Sequence, residues 1–260
     1  MPYRLIGRTA VFGTVSQGSS PCGATINESR PSLNQTAMKV IITGTTGMVG
    51  KGVLDECLRN EKITAVLVIN RRSIELTHPK LKAIILKDFF QLSSIEHELA
   101  GYDACFFCLG ITSFRMSEEA YTHTTYDLTM SFANVLAGVN KAMGFIYVSG
   151  AGTDSTEKGR VMWARVKGKT ENDLFKVGFK SSYSLRPALI QVDKNAPTQT
   201  AIYQVLFPIL TFLYPLLKLI IPKYMTTTAQ VGKAMIELIE NGYSKKHIES
   251  VDINSLAANG

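Results

Sequence analysis

Three glycines, Gly44, Gly47 and Gly50, follow directly on an apolar run at residues 40–42. The run reads as a buried strand, and Val53, Leu54, Cys57 and Leu58 beyond the glycines read as one face of a helix. Strand, glycine turn and helix in that order form the context in which such spacing binds a dinucleotide. Gly44 would allow the tight turn, Gly47 the close approach of backbone to a pyrophosphate, and Gly50 close packing of the helix on the sheet. Thr46, with the free N–H groups of Met48 and Val49 at the helix N-terminus, completes the set expected at the phosphates. The plainer alternative is a glycine-rich turn that holds no ligand.

Further candidates lie at the ends of later strands. A second buried run at 65–70 ends in Asn70-Arg71-Arg72, with no acid to grip a ribose 2′-hydroxyl. Arg71 and Arg72 suit a 2′-phosphate, since guanidinium donors match phosphate geometry; otherwise they are a solvated surface pair. A third strand at 83–86 leads to Asp88 and Phe89, where a carboxylate can accept from an adenine amino group or simply shape a turn. A fourth at 104–109 ends in Leu109 and Gly110, and the small residue there would admit the cofactor ribose. A fifth at 145–148 ends in Ser149, either a substrate contact at the C-terminal end of a central strand or a turn residue. Trp163 and Lys167, four apart, share one face of a helix running to about residue 175, and a sixth strand at 183–186 stops at Pro187.

These elements must be positioned by a chain of 260 residues, 45% of them hydrophobic and 19% charged, which is enough for one large α/β domain with a modest appendage. The formal charge of +7 is spread without a basic run, so nucleic acid is not expected as a partner. Cys105 and Cys108 lie three apart in an apolar strand and should face opposite sides of the sheet; with no second pair, no metal site is expected. Buried packing cysteines imply a reducing compartment, and a cytoplasmic location is expected.

Residues 1–37, rich in Ser, Gly, Thr and Pro, read as a disordered extension or as the product of a mis-chosen start, with Met38 the natural first residue. Residues 121–142 read as one long helix, with Leu128, Phe132, Val135, Leu136 and Val139 on its core side. No charge occurs between Lys194 and Lys218, yet Pro208 and Pro215 oppose a regular membrane-spanning helix. The stretch at 203–221 is therefore expected to belong to a small apolar helical cap at about 196–225. Peripheral membrane contact through it is the other expectation. A helix at 229–240, a last strand at 248–253 and a frayed tail at 254–260 complete the reading.

Taken together, these residues resemble the short-chain dehydrogenase/reductase superfamily in its extended and atypical NAD(P)-binding branch. Thr43 to Gly50 is similar to that branch's T-G-x-x-G-x-x-G, Asp88-Phe89 to its adenine-contacting pair, and Leu185-Arg186-Pro187-Ala188 to its L-R-P-x segment beside the nicotinamide. The likeness is strongest to epimerase-like proteins and the Tat-interacting oxidoreductase-like group, and covers residues 38 to about 245. It implies a Rossmann-type doubly wound parallel sheet over 38–253 with a small helical C-terminal cap. It also implies a nicotinamide dinucleotide, which Arg71 and Arg72 favour as NADP with NAD less favoured, held by the glycines, Arg71, Arg72, Asp88, Phe89, Leu109, Gly110, Lys167 and Pro187. The expected function is an NADP-dependent oxidoreductase or epimerase-like activity on an apolar carbonyl or sugar-derived small molecule. In the superfamily a serine orients the carbonyl, a tyrosine supplies the proton, and a lysine four residues on lowers the phenol pKa and holds the ribose. Ser149 and Lys167 match their slots, but Trp163 fills the tyrosine slot, and an indole N–H donates without ionising. Tyr121, Tyr126 or Tyr147 would have to reach the substrate instead, or Ser149 and Lys167 relay the proton through water. The alternative is a non-catalytic NADP-binding regulator or scaffold. Nothing in the sequence requires an oligomer.

Overall fold

The computed structural model describes residues 37–191 and 222–259. The expected extension as far as residue 36, and the cap and membrane-contact stretch as far as residue 221, lie outside the described residues. The first strand, β1 (Met38–Thr43), is followed by α1 (Met48–Arg59), β2 (Ile63–Asn70), β3 (Leu81–Ile85), a 3₁₀ segment (Phe89–Glu98) and β4 (Ala104–Phe107). The second half runs α2 (Glu118–Thr122), a π-type turn (His123–Asp127), α3 (Leu128–Val139), β5 (Gly144–Val148), α4 (Met162–Leu174), β6 (Ser181–Arg186) and β7 (Leu189–Gln191). Beyond residue 221 come β8 (Met225–Thr227), α5 (Thr228–Asn241), β9 (His247–Glu249) and α6 (Ser250–Asn259).

Seven of the strands form one parallel sheet in the order β3-β2-β1-β4-β5-β6-β9. This is the doubly wound Rossmann-type arrangement, and the strand order reverses between β1 and β4, the place where such sheets bind ligands. Strands β7 and β8 form a separate parallel pair.

Residues alternate across the sheet. Val40, Ile42, Phe106 and Ile146 join α1, α5 and α6 in one core, while Ile41, Phe107, Phe145 and Tyr147 join α3 and the 3₁₀ segment in the other. Covering on both faces is why the central strands read as unbroken apolar runs. Cys105 falls in the second core and Cys108 packs against the first, as their spacing requires.

The third strand starts two residues earlier than expected and ends at Ile85, the fourth ends at Phe107, and three elements differ more. The long helix begins earlier, at Glu118, capped by the Ser117 side chain, and an extra residue per turn at His123–Asp127 interrupts it. It stops at Val139 because Asn140 is extended. The last strand is limited to His247–Glu249, and a helix to Asn259 replaces both its remainder and the frayed tail. Asp252 accepts from the Glu249 N–H at 3.2 Å to start that helix, and Ile253, Leu256 and Ala257 bury its inner face.

Helices α1 and α5 touch through glycines: a Cβ on Gly52 would lie 2.3 Å from Thr228 Cβ, and one on Gly232 would lie 2.9 Å from Glu56 Cβ. Gly52→Ala should therefore force the two helices apart and lower unfolding free energy by about 1–3 kcal/mol, read from denaturant midpoints.

Candidate functional site

The glycine turn is shaped by close backbone contacts. Gly44 has φ of +72°, and a Cβ there would stand 2.7 Å from the Cys108 carbonyl oxygen at the exit of β4. The Gly47 N–H donates to Gly44 O at 2.9 Å, and a Cβ on Gly50 would lie 2.3 Å from that same oxygen. Turn, first helical turn and neighbouring strand are thus pressed together where the sheet changes direction. Gly47 caps α1 with no side-chain hydrogen bond, and no acidic residue occupies the first turn, which includes Met48 and Val49. The positive end of the helix is left to an outside anion. Thr46 and Gly47 are exposed beside it, and Thr43 Oγ1 is buried with no hydrogen-bond partner. These features fit a dinucleotide pyrophosphate.

Around the turn, Asn70 Nδ2 donates to Thr45 Oγ1 at 2.7 Å, so the last side chain of β2 is used to tie the turn down. Arg71 and Arg72 follow it, both exposed, with no carboxylate among the described residues in ion-pair contact. The Arg71 guanidinium lies 5.9 Å from the centre of the Phe89 ring. Phe89 itself is buried edge-on against Phe132, while Asp88 is exposed and caps the 3₁₀ segment by accepting from the Phe90 N–H at 3.0 Å. Leu109 is half-buried, and Gly110 is exposed with open space where a Cβ would stand.

At the other side of the switch point, β5 delivers Ser149 and α4 delivers Trp163 and Lys167. Ser149 is buried; its N–H donates to Leu185 O at 2.8 Å and its Oγ lies 3.0 Å from Thr153 Oγ1. Lys167 Nζ is 3.5 Å from Val148 O, next to Ser149 in the chain, and 5.4 Å from the centre of the Tyr147 ring. Burial pushes its pKa down to about 8, against an opposing pull from Glu171. Trp163 is half-buried at the rim, and its Cη2 would be 3.7 Å from a Cβ on Gly152.

None of the three tyrosines proposed as substitutes takes the empty role. Tyr121 and Tyr147 are buried, and burial raises the pKa of both. Tyr126 donates to Asp173 Oδ2 at 2.9 Å. Pro187 directly follows β6 and its carbonyl accepts from the Ala151 N–H at 3.1 Å, linking the two strand exits.

Helix α4 is held by contacts that sequence reading missed. Glu171, fully buried, is in ion-pair contact with Arg186 and accepts from Ser184 Oγ at 2.6 Å and from Arg186 Nε at 3.1 Å. Arg186 also donates to Ser155 Oγ at 2.6 Å and stands 3.5 Å from Glu249. A Cβ on Gly168 would fall 1.8 Å from Asp154 O, so α4 lies directly on the loop after β5. The available signal was spacing on the helix: Glu171 is one turn beyond Lys167 on the same face.

No protein-family model matches the chain. Protein FMP52, mitochondrial, of Chaetomium globosum is 28% identical over 168 residues, covering 62% of this chain and 70% of that protein. Leucinostatins biosynthesis cluster protein T of Purpureocillium lilacinum is 28% identical over 243 residues, covering 78% and 85%. Protein HTATIP2 of Rattus norvegicus is 25% identical over 158 residues, covering 60% and 64%. Among solved structures, Bordetella bronchiseptica WbmF in complex with NAD+ aligns with TM-score 0.60 at 13% identity, over 87% of this chain and 79% of that one. A Burkholderia cenocepacia short chain dehydrogenase in complex with NADP aligns with TM-score 0.58 at 11% identity, over 87% and 94%. The expected cytoplasmic location is corrected by these relatives, since FMP52 proteins of several fungi are named as mitochondrial. Cysteines packed into the core stay free because nothing reaches them, so they do not name a compartment.

The depressed Lys167 pKa has a measurable consequence. Its folded value, about 8, lies below the unfolded value near 10.5, so the unfolded chain binds more protons between them. The resulting penalty is complete below pH 8 and fades as pH rises towards 10.5. Lys167→Met should raise stability by about 1–3 kcal/mol at pH 7, the lower part of that range reflecting solvent screening of a side chain that is only half-buried, and the gain should shrink through this window in pH-dependent unfolding.

Proposed function

We propose, for a chain whose resemblance to the extended and atypical short-chain dehydrogenase/reductase proteins is borne out by its relatives and structural neighbours, that it binds NADP and acts as an oxidoreductase or epimerase-like enzyme on a small apolar or sugar-derived substrate. The observation that carries this reading is the cradle at Gly44 and Gly50, both closed to a Cβ on the protein side, with exposed Gly47 between them at the start of α1, where no side chain caps the helix and an anion has access. Neighbours of the same fold are solved with NAD+ or with NADP, which supports a nicotinamide dinucleotide. The preference for NADP rests on this chain's own residues: Asn70 is turned to Thr45, and Arg71 and Arg72 stand exposed where an acid would favour NAD.

In this reading the cofactor, when bound, supplies hydride chemistry. The protein contributes position and proton traffic. Met48 and Val49 N–H groups face the pyrophosphate, Arg71 and Arg72 the 2′-phosphate, and Asp88, with Phe89 behind it, the adenine. Leu109, Gly110 and Pro187 border the ribose and nicotinamide, and Lys167 reaches the ribose. Ser149 meets the substrate. With Trp163 unable to ionise, Ser149 and Lys167 would relay the proton through water, burial bringing the Lys167 ammonium down to about 8 so that it can exchange a proton near neutral pH.

A second reading is favoured by Trp163 together with the engagement of Tyr121, Tyr126 and Tyr147: NADP binding without turnover, as a regulator or scaffold. Replacing Arg71 and Arg72 by alanine tests the cofactor assignment under either reading. The double variant should weaken NADPH at least tenfold while changing NADH less than threefold in equilibrium titrations. An equal change for both cofactors would remove the 2′-phosphate role.

A further inference from the structure

The hydroxyl pair Ser149 and Thr153, just past the end of β5, carries a proton count that gives the site a polarity. A hydroxyl has one proton to give. Thr153, buried, donates its proton to the Gly150 carbonyl oxygen at 2.7 Å, and that oxygen can only accept. Ser149 Oγ stands 3.0 Å from Thr153 Oγ1. With the threonine proton already committed, the proton between the two oxygens comes from Ser149. Thr153 is held for this task by its own backbone as well, its N–H reaching Gly150 O at 3.2 Å. Ser149 is equally fixed, through its N–H to Leu185 O at 2.8 Å. Its side chain therefore directs its single proton along the loop and offers lone pairs elsewhere.

We propose that Thr153 is a positioning residue that locks Ser149 as a hydrogen-bond acceptor, so that the site takes a substrate hydroxyl in preference to a carbonyl. A carbonyl oxygen facing Ser149 would meet lone pairs, and would have to break the Ser149–Thr153 bond or displace the Thr153 proton from Gly150. An alcohol O–H meets an acceptor already in place. The substrate class, an alcohol rather than an aldehyde or ketone, rests on the NADP-enzyme reading; the proton positions at Ser149 and Thr153 do not.

Two measurements test this. Neutron diffraction from deuterium-exchanged crystals of the full chain should place the Ser149 deuteron on the line to Thr153 Oγ1 and the Thr153 deuteron towards Gly150 O. A Ser149 deuteron pointing off that line would overturn the proposal whether or not any cofactor binds. With saturating NADP+, cyclohexanol should bind about tenfold more tightly than cyclohexanone by saturation-transfer NMR, the factor expected from one hydrogen bond made or lost. Thr153→Val frees the Ser149 proton and should reverse the preference, while Thr153→Ser keeps the relay and should restore it. Absent or equal binding of the two probes by the parent chain, or an unchanged preference in Thr153→Val, would overturn the substrate class. Failure of NADP+ itself to bind would instead sink the cofactor reading, and the deuteron positions would still decide the role of Thr153.

Discussion

Gly44 is the point at which three stretches of backbone meet. Its positive φ turns the chain off β1, its missing Cβ admits the Cys108 carbonyl from β4, and its own oxygen receives the Gly47 N–H while lying against Gly50. Any side chain at Gly44 or Gly50 would separate the turn from the strand or from the helix, and the orphan N–H groups of α1 would no longer converge on one place. The sheet order makes this matter, because β1 and β4 are the two strands between which the winding reverses. The anion cradle follows from a backbone packing constraint, and the side chains around it refine what that cradle prefers.

The second half of the site depends on a different kind of constraint. Helix α4 must hold Trp163 and Lys167 over the exit of β5, and it is fixed there by Gly168 against Asp154 and by buried Glu171 against Arg186 of β6. A buried ion pair of this kind adds little net stability over an apolar substitute, but losing one partner costs about 3–5 kcal/mol because the other charge is left stranded. Ser184 and Ser155 add hydrogen bonds to the pair, Glu249 stands 3.5 Å from Arg186, and His247 Nδ1 lies 3.1 Å from Glu171, so several elements fix one placement of the helix. Lys167 then sits where burial disfavours its charge, a stability cost of the sort tolerated at sites that move protons.

Much of the architecture was legible because periodicity reports burial directly. The runs at 40–42, 65–70 and 145–148 are buried except at half-buried Ala65 and Val148 and lie inside observed strands, and the glycine spacing matched the observed turn. What stayed hidden depended on partners far away in the chain. Glu171 looks like an ordinary helix-surface acid until β6 brings Arg186 to it, and Asn70 looks like a strand-end turn residue until Thr45 receives its proton. The helix at Ser250–Asn259 was missed because His247–Glu249 and the residues after it share one apolar pattern too short to separate strand from helix. The extra residue in the turn at His123–Asp127 left no sequence mark at all. Residue types alone singled out Ser149, Trp163 and Lys167 as candidates, whereas the contacts of Ser149 with Thr153, and of Thr153 with Gly150, appear only in the fold.

The most direct measurement of the central claim is an equilibrium titration of NADPH into the full-length chain, followed by nicotinamide fluorescence and by thermal unfolding. A ligand bound only by the folded chain raises unfolding free energy by about 2.7 kcal/mol at a hundred times its dissociation constant. The account predicts saturable binding at one site, with the unfolding temperature rising as NADPH is added. An unfolding temperature that does not move, with no change in fluorescence up to millimolar NADPH, would contradict it and leave the glycine turn as a packing solution without a ligand.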